Sequence, residues 1–415
     1  MSGRAWPTSL EYVAAAQNPE SAFRVPELRS ARFIADAAGP KSIEGQQAIV
    51  FFGSAGEGPV AVRCLKRPLD GGAERYAALR AYLIDHPMAA IPSADWREDG
   101  IQVGGQTWPV IKMERVVGSS LLTFVEKNLA DPARLSQVAA EWRALITELS
   151  RDCIAHGDLQ QDNVMLADEE HLRLVDLDAV WLPTLSHLPP KERGHRHFQH
   201  PERLHTGYWG RYIDTFPALV IYVSLRALAA DTGLFGDFNN DENLIFCDED
   251  FARPGQTPLW PRLWANPDTG VRDVAHVLER CCQTTVQLGV DMDTLLSPGG
   301  FPATAASWTT PASFLASRPW WSVPPTTVLP PDGATGNSAA TVPPPDGVKR
   351  EWWLRESESA KYSWTRDQAA ARAAPSAKAS APTPAKISVG SKVAIIIAIL
   401  FLVVILVVAI VAAAH

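Results

Sequence analysis

Apolar and polar positions change texture along the first 300 residues. "QAIVFF" (47–52), "PVAVRCL" (59–65) and "WPVIKMERV" (108–116) are short apolar runs rich in β-branched residues, which predicts three strands of one sheet. After residue 130 the spacing becomes helical. "DPARLSQVAAEWRALITELSRD" (131–152) carries apolar residues three and four apart behind Asp131, a helix-capping type of residue. "FPALVIYVSLRALA" (216–229) is apolar almost all round, which predicts a fully buried helix. Between these, "NVML" (163–166) and "HLRLVD" (171–176) flank the polar "ADEE" (167–170) and read as a β-hairpin. A strand-rich half followed by a helix-rich half predicts an α+β domain with a cleft between the two.

The far end of the chain is different material. Residues 393–414, "VAIIIAILFLVVILVVAIVAAA", are 22 apolar residues without a charge. As a helix they would span about 33 Å, enough to cross a bilayer. Residues 301–392 are dense in Pro, Ala, Ser and Thr, with the near-repeat "TVLPPDG" and "TVPPPDG", and such a composition predicts a disordered linker. Arg372, Lys378, Lys386 and Lys392 precede the apolar run, so the positive-inside bias places the preceding residues in the cytoplasm, on a single-pass C-terminal anchor. Trp320–Trp321 and Trp352–Trp353 interrupt the linker as candidate docking motifs for a signalling partner or protein substrate. The chain's net charge of −8 and the absence of a long Lys/Arg run in the first 300 residues argue against nucleic acid. Its five cysteines show no metal-ligand spacing and read as reduced thiols.

The chemistry concentrates in "HGDLQQDNVMLADEEHLRLVDLD" (156–178). The predicted hairpin folds Asp176 back beside Asn163, with Asp158 close by. Two carboxylates and an amide oxygen are hard ligands that suit Mg²⁺ shared with substrate phosphates. At this point the residues resemble the protein kinase superfamily. "HGDLQQDN" resembles the catalytic loop H-R-D-L-x-x-x-N, and "DLD" (176–178) stands where D-F-G stands. "HPER" (200–203) resembles A-P-E, Asp214 the aspartate that opens the long buried helix, and "VAVR" (60–63) the strand motif V-A-I-K. "KMERVVG" (112–118) resembles the hinge, with Met113 as gatekeeper. The resemblance spans residues 25–300, after an N-terminal extension of residues 1–24. It implies a bilobal fold with a β-rich N-lobe and a helical C-lobe, and catalytic roles for Asp158, Asn163 and Asp176, the last two holding Mg²⁺. It also implies an ATP site at Gly45, Val50, Ala61, Arg63, Glu74, Glu114 and Val116, in which the backbone of Glu114 and Val116 meets adenine.

Four departures from that family's pattern touch phosphate handling. "IEGQQAIV" (43–50) keeps Gly45 but has Ile43 and Ala48 where the other loop glycines would stand. Arg63 replaces the strand lysine, with Glu74 as its expected partner, while Lys66 should point to the opposite face. Gln160 and Asp178 replace a lysine and the D-F-G glycine. Two functions follow as expectations: a membrane-anchored kinase transferring the ATP γ-phosphate to protein Ser/Thr, or a pseudokinase scaffold that binds nucleotide weakly or not at all and recruits partners through its tail. A small-molecule phosphotransferase, as in aminoglycoside and choline kinases, fits "HGD" but not the segment "GHRHFQHPER" (194–203). His195, His197 and His200 read as packing residues, and "NNDENLIFCDEDF" (239–251) as a solvated insertion. Glu202 and Asp214 read as residues that hold the helical half together.

Overall fold

The computed structural model describes residues 5–308, apart from 38, 57, 168–170, 191, 286–288 and 303–306. Residues 309–392 of the anticipated linker and the apolar C-terminal run lie outside the described residues; the start of the predicted disordered linker is instead folded onto the helical half, with Phe301 packed on its core and Trp308 N–H donating to the Gln283 carbonyl at 2.7 Å. No described helix is long and apolar enough to cross a membrane. The described part is α+β, with the sheet in its first third and helices dominating thereafter.

Three short helices, α1 (Ser9–Ala16), α2 (Pro19–Ala22) and α3 (Pro26–Arg29), come first. Thr8 starts α1 through a capping box with Glu11. Three two-residue strands follow: β1 (Arg32–Phe33), β2 (Ala35–Asp36) and β3 (Gly39–Pro40). The main strands are β4 (Ser42–Glu44), β5 (Ala48–Ala55), β6 (Gly58–Leu65), β7 (Ala94–Val103) and β8 (Gln106–Glu114), with α4 (Gly72–Asp85) between β6 and β7. Their antiparallel order is β1-β5-β6-β8-β7, and β4 pairs with β5. Three of these strands fall where the apolar pattern predicts them. The edge strand β7 does not announce itself, because "DWREDG" breaks the alternation and the pairing shifts register between Arg97 and Ile101.

Alternation along each strand gives the sheet two different faces. One face, with Ile49, Phe51, Val62, Cys64 and Val110, packs against Tyr12, Phe23 and Leu28. The Tyr12 hydroxyl donates to the Leu65 carbonyl at 2.6 Å, and Phe23 bridges to Ile101. From residue 5 onward the N-terminal stretch is therefore a layer of the sheet's own core. The other face carries Ala48, Leu65 and Ile111, which meet Tyr76 of α4.

The helical half is built around α5 (Leu121–Asn128), α6 (Pro132–Arg151), α7 (Pro201–Thr206) and α8 (Thr215–Ala230). The Asp131 carboxylate accepts from the Arg134 N–H at 3.0 Å, the cap its position predicts. Helix α8 is buried along almost its whole length. Trp142 of α6 is fully buried and donates its indole N–H to the Ala218 carbonyl at 2.9 Å. Each such buried large side chain contributes about 1.5–3 kcal/mol. Strands β9 (Gly118–Ser120), β10 (Val164–Ala167) and β11 (Leu172–Leu174) form a second, three-stranded sheet in the order β11-β10-β9. The β10–β11 hairpin forms as the sequence predicts, with Val164 opposite Leu174, a register that puts Val175 opposite Asn163.

The dependence of the sheet on its N-terminal cover is testable. Deleting residues 1–31 should expose Phe51, Val62 and Val110 and abolish cooperative thermal unfolding, with aggregates in size-exclusion chromatography. A monomeric variant with an unchanged melting midpoint would show that this layer is dispensable.

Candidate functional site

The loop from His156 to Asn163 is fixed before any site side chain is considered. Ala155 and Trp181 exchange backbone hydrogen bonds at 3.0 and 2.7 Å, laying the segment after Asp176 across the loop. Gly157 has φ +84°, and a Cβ there would sit 2.1 Å from the Ala179 carbonyl oxygen. Only glycine fits that approach. Asp214, at the start of α8, accepts the backbone N–H of His156 and that of Gly157, the latter at 2.9 Å. Arg203 of α7 donates to the Gly157 carbonyl at 2.7 Å. Burial raises the Asp214 carboxyl above its ordinary range, and the two N–H donors, His156 and Arg203 pull against that shift. Burial likewise pushes the Arg203 guanidinium down to about 10, against the pull of Asp214 and Asp158. Asp214 does more than hold helices together: it holds this loop's backbone.

On that frame Asp158 and Asn163 are almost fully buried and in contact. One Asp158 carboxylate oxygen accepts from the Asn163 and Gln160 side-chain amides, each at 2.9 Å. The other accepts the backbone N–H of His195 at 3.0 Å. Asn163 also donates to the Asp158 carbonyl at 2.7 Å. The Asn163 carbonyl in turn accepts from Val175 N–H at 2.9 Å, so Asp176 follows the residue that meets Asn163. Asp176 itself is left-handed, with φ +63°, so the chain turns sharply there. His156 ties both segments together through the Val175 carbonyl at 2.8 Å.

Arg63 projects from β6 into a pair of carboxylates, 3.2 Å from Asp176 and 2.7 Å from Asp178. Burial opposes its charge, but Asp178 and then Asp176 more than reverse this, so its pKa is raised. Tyr76 of α4 donates its hydroxyl to the other Asp178 oxygen at 2.7 Å. The expected Arg63–Glu74 pair does not form: Glu74 is on the exposed side of α4, 2.9 Å from His187. Two residues along a helix turn the side chain by about 200°, so Glu74 and Tyr76 cannot share the inner face. Arg75, also buried, donates to the Val180 carbonyl at 3.3 Å and to that of Pro189, and lies over Trp209. Helix α4 is thus joined to the segment after Asp176 by Arg75 and Tyr76.

The remaining sequence-derived positions lie along the sheet. Gly45 N–H donates to the Ala48 carbonyl at 2.8 Å, closing the tight β4–β5 turn. Val50 stands opposite Arg63, and Ala61 lies between Phe52 and Met113. Glu114 donates its N–H to the Ser93 carbonyl at 2.9 Å, and its carboxylate accepts from Arg173 of β11 at 2.7 Å. Val116 is half-buried in the connection to β9. Lys66 pairs with Glu44 at 2.8 Å, away from the Arg63 cluster. Sequence reasoning missed Tyr76, the partner role of Asp178 and the His195 N–H; the last is a backbone group that no residue type signals.

The histidines serve structural bonds. His200 caps α7, its Nδ1 accepting from Glu202 N–H at 3.0 Å, and its Nε2 meets the Cys282 carbonyl. His197 is held between Asp248 and Glu242, whose carboxylates outweigh burial and raise its pKa. The "NNDENLIFCDEDF" stretch is not a solvated insertion. Asn243, Leu244, Ile245, Phe246, Asp248 and Asp250 are buried, the carboxylates satisfied by His197, the Cys247 N–H and Thr257. All five cysteines are free thiols. Among the described residues no three His, Cys, Asp or Glu side chains are grouped to hold a metal. The candidate ligand set therefore depends on the Asn163 amide. A surface pocket between α6 and α8, lined by Ser136, Tyr222 and Arg226, contains none of these residues.

Two measurements test this framework. Gly157→Ala should cost about 3 kcal/mol or more in urea unfolding, from positive-φ strain and the Ala179 clash; a loss under about 1 kcal/mol would contradict the close approach. Burial pushes His200 down to about 4, below its unfolded value of about 6.5. Below pH 6.5 the unfolded chain takes the proton that the folded chain refuses, so stability falls as pH drops from about 6.5 towards 4, by about 3 kcal/mol for this group. His200→Asn keeps a capping acceptor and should flatten that slope by about one proton; an unchanged slope would clear His200 of the effect. No protein-family model matches the chain, and no curated protein matches it.

Proposed function

We propose that the chain is a bilobal protein kinase-like phosphotransferase that uses ATP and Mg²⁺ and acts on Ser or Thr of a protein substrate. The observation that carries this reading is the contact of Asp158 with Asn163, on a loop held by Asp214, with Val175 N–H on the Asn163 carbonyl and Asp176 next in the chain. The antiparallel sheet with α4 inserted before its edge strand, followed by α6 and α8, supports the bilobal reading.

The donor set fits a hard divalent cation. Asn163 and Asp176 would hold Mg²⁺, and the two carboxylates around the single Arg63 charge leave that cluster net negative. Bound there, the ion would neutralise phosphate charge. Asp158 would receive the proton of the substrate hydroxyl as its oxygen attacks the γ-phosphorus and the bond to ADP breaks. The Asn163 and Gln160 amides orient that carboxylate, and Arg63 supplies a cation towards the phosphates. The apolar run 393–414 would anchor the protein in a membrane with the catalytic part in the cytoplasm, and the tryptophan pairs of the linker would engage a partner.

One set of contacts favours a second reading, a pseudokinase scaffold. Both Asp158 oxygens already accept bonds within the chain, and both arms of Arg63 are taken by carboxylates. Such a site could be closed on itself.

The full chain separates the two. Under the phosphotransferase reading, ATP with Mg²⁺ at a hundredfold excess over Kd stabilises the protein by about 2.7 kcal/mol. Label passes from ATP to protein, and Asp158→Asn lowers that transfer by about 10²–10⁴-fold. Absence of both stabilisation and transfer would establish the scaffold; transfer that survives Asp158→Asn would remove Asp158 from the chemistry.

A further inference from the structure

The Arg63 cluster has one more carboxylate than a simple ion pair needs. Asp176 and Asp178 are two positions apart in the chain, and both carboxylates meet the same guanidinium. The left-handed turn at Asp176 and the 3-10 turn Leu177–Ala179 lie between Val175 and Val180, where the chain brings both to the Arg63 fork. Their contacts are unequal: Asp178 lies at 2.7 Å and Asp176 at 3.2 Å. Asp178 is also the more buried of the two, and Tyr76, itself 2% exposed, fixes its second oxygen. An oriented, desolvated carboxylate binds a guanidinium more tightly than a solvated one.

We infer that Asp178 is a positioning residue that takes the closer share of the Arg63 charge and so loosens the hold of Arg63 on Asp176, the carboxylate proposed to meet a divalent cation, an inference that rests on the proposed Mg²⁺–nucleotide reading. Helix α4 contributes through the Tyr76 hydroxyl rather than through a carboxylate. Without Asp178, the guanidinium would turn both arms to Asp176 and compete with the cation for it. The glycine expected at position 178 by family resemblance is thus replaced by the partner that an arginine at position 63 requires. Glu74, which the sequence offers for that role, is turned away and paired with His187.

The test is the Mg²⁺ concentration that gives half-maximal thermal stabilisation of the full chain at fixed ATP. Asp178→Asn should raise it about tenfold, the equivalent of about 1.4 kcal/mol, while Asp178→Glu should recover much of that loss and Tyr76→Phe should raise it about threefold. Stabilisation at saturating Mg²⁺ should be little changed, which a merely structural role would not predict. If Asp178→Asn does not fold, Tyr76→Phe carries the test alone. A wild-type Mg²⁺ requirement in both Asp178→Asn and Tyr76→Phe overturns the positioning role. If the wild-type chain itself shows no nucleotide stabilisation at any Mg²⁺ concentration, the nucleotide reading fails and this inference falls with it.

Discussion

A buried carboxylate gripping two consecutive backbone N–H groups is the constraint on which the site rests. Asp214 holds His156 and Gly157 from the start of α8, the most deeply buried helix of the molecule. Because that helix is packed on all sides, the loop inherits the rigidity of the core, and Asp158 and Asn163 are placed by it. Gly157 completes the constraint from above, since only a residue without a Cβ lets Ala179 approach. Loop, hairpin and the segment after Asp176 are consequently one unit: moving any of them would disturb the bonds of the others.

Much of this architecture was legible where the apolar period is strong. Helix α6 with its Asp131 cap, the all-apolar α8, the β5, β6 and β8 strands and the β10–β11 hairpin all lie where the pattern predicts. Asp158 and Asn163 were legible as a pair because five residues separate them and a short turn suffices to bring them together. Long-range partnerships were not. Nothing in the spacing tells that Arg63 meets Asp178 rather than Glu74, because that choice depends on which face α4 presents to the sheet. The acidic stretch 239–251 misled for another reason. Glu242, Asp248 and Asp250 are paired within the fold, so net polarity hid the buried "LIF" and the caps around it.

Charge balance around Arg63 links the structure to its proposed chemistry. Arg63 is half-buried, and carboxylates around it offset the cost of desolvating its guanidinium. The same carboxylates give the cluster its residual negative charge, the condition a divalent cation requires. A guanidinium has two arms, and the second needs a second acceptor. Asp178 meets that need, and the Tyr76 hydroxyl of α4 donates to its other oxygen.

The central claim is that Asn163 and Asp176 jointly hold a divalent cation together with nucleotide. Electron paramagnetic resonance of Mn²⁺ in the presence of ATP reads this without any turnover. In the full wild-type chain the free-ion signal should fall below that of Mn²⁺ with ATP alone as protein is added, and Asn163→Ala and Asp176→Ala should each abolish the fall. An unchanged signal in the wild type, or binding that survives both substitutions, would contradict the account.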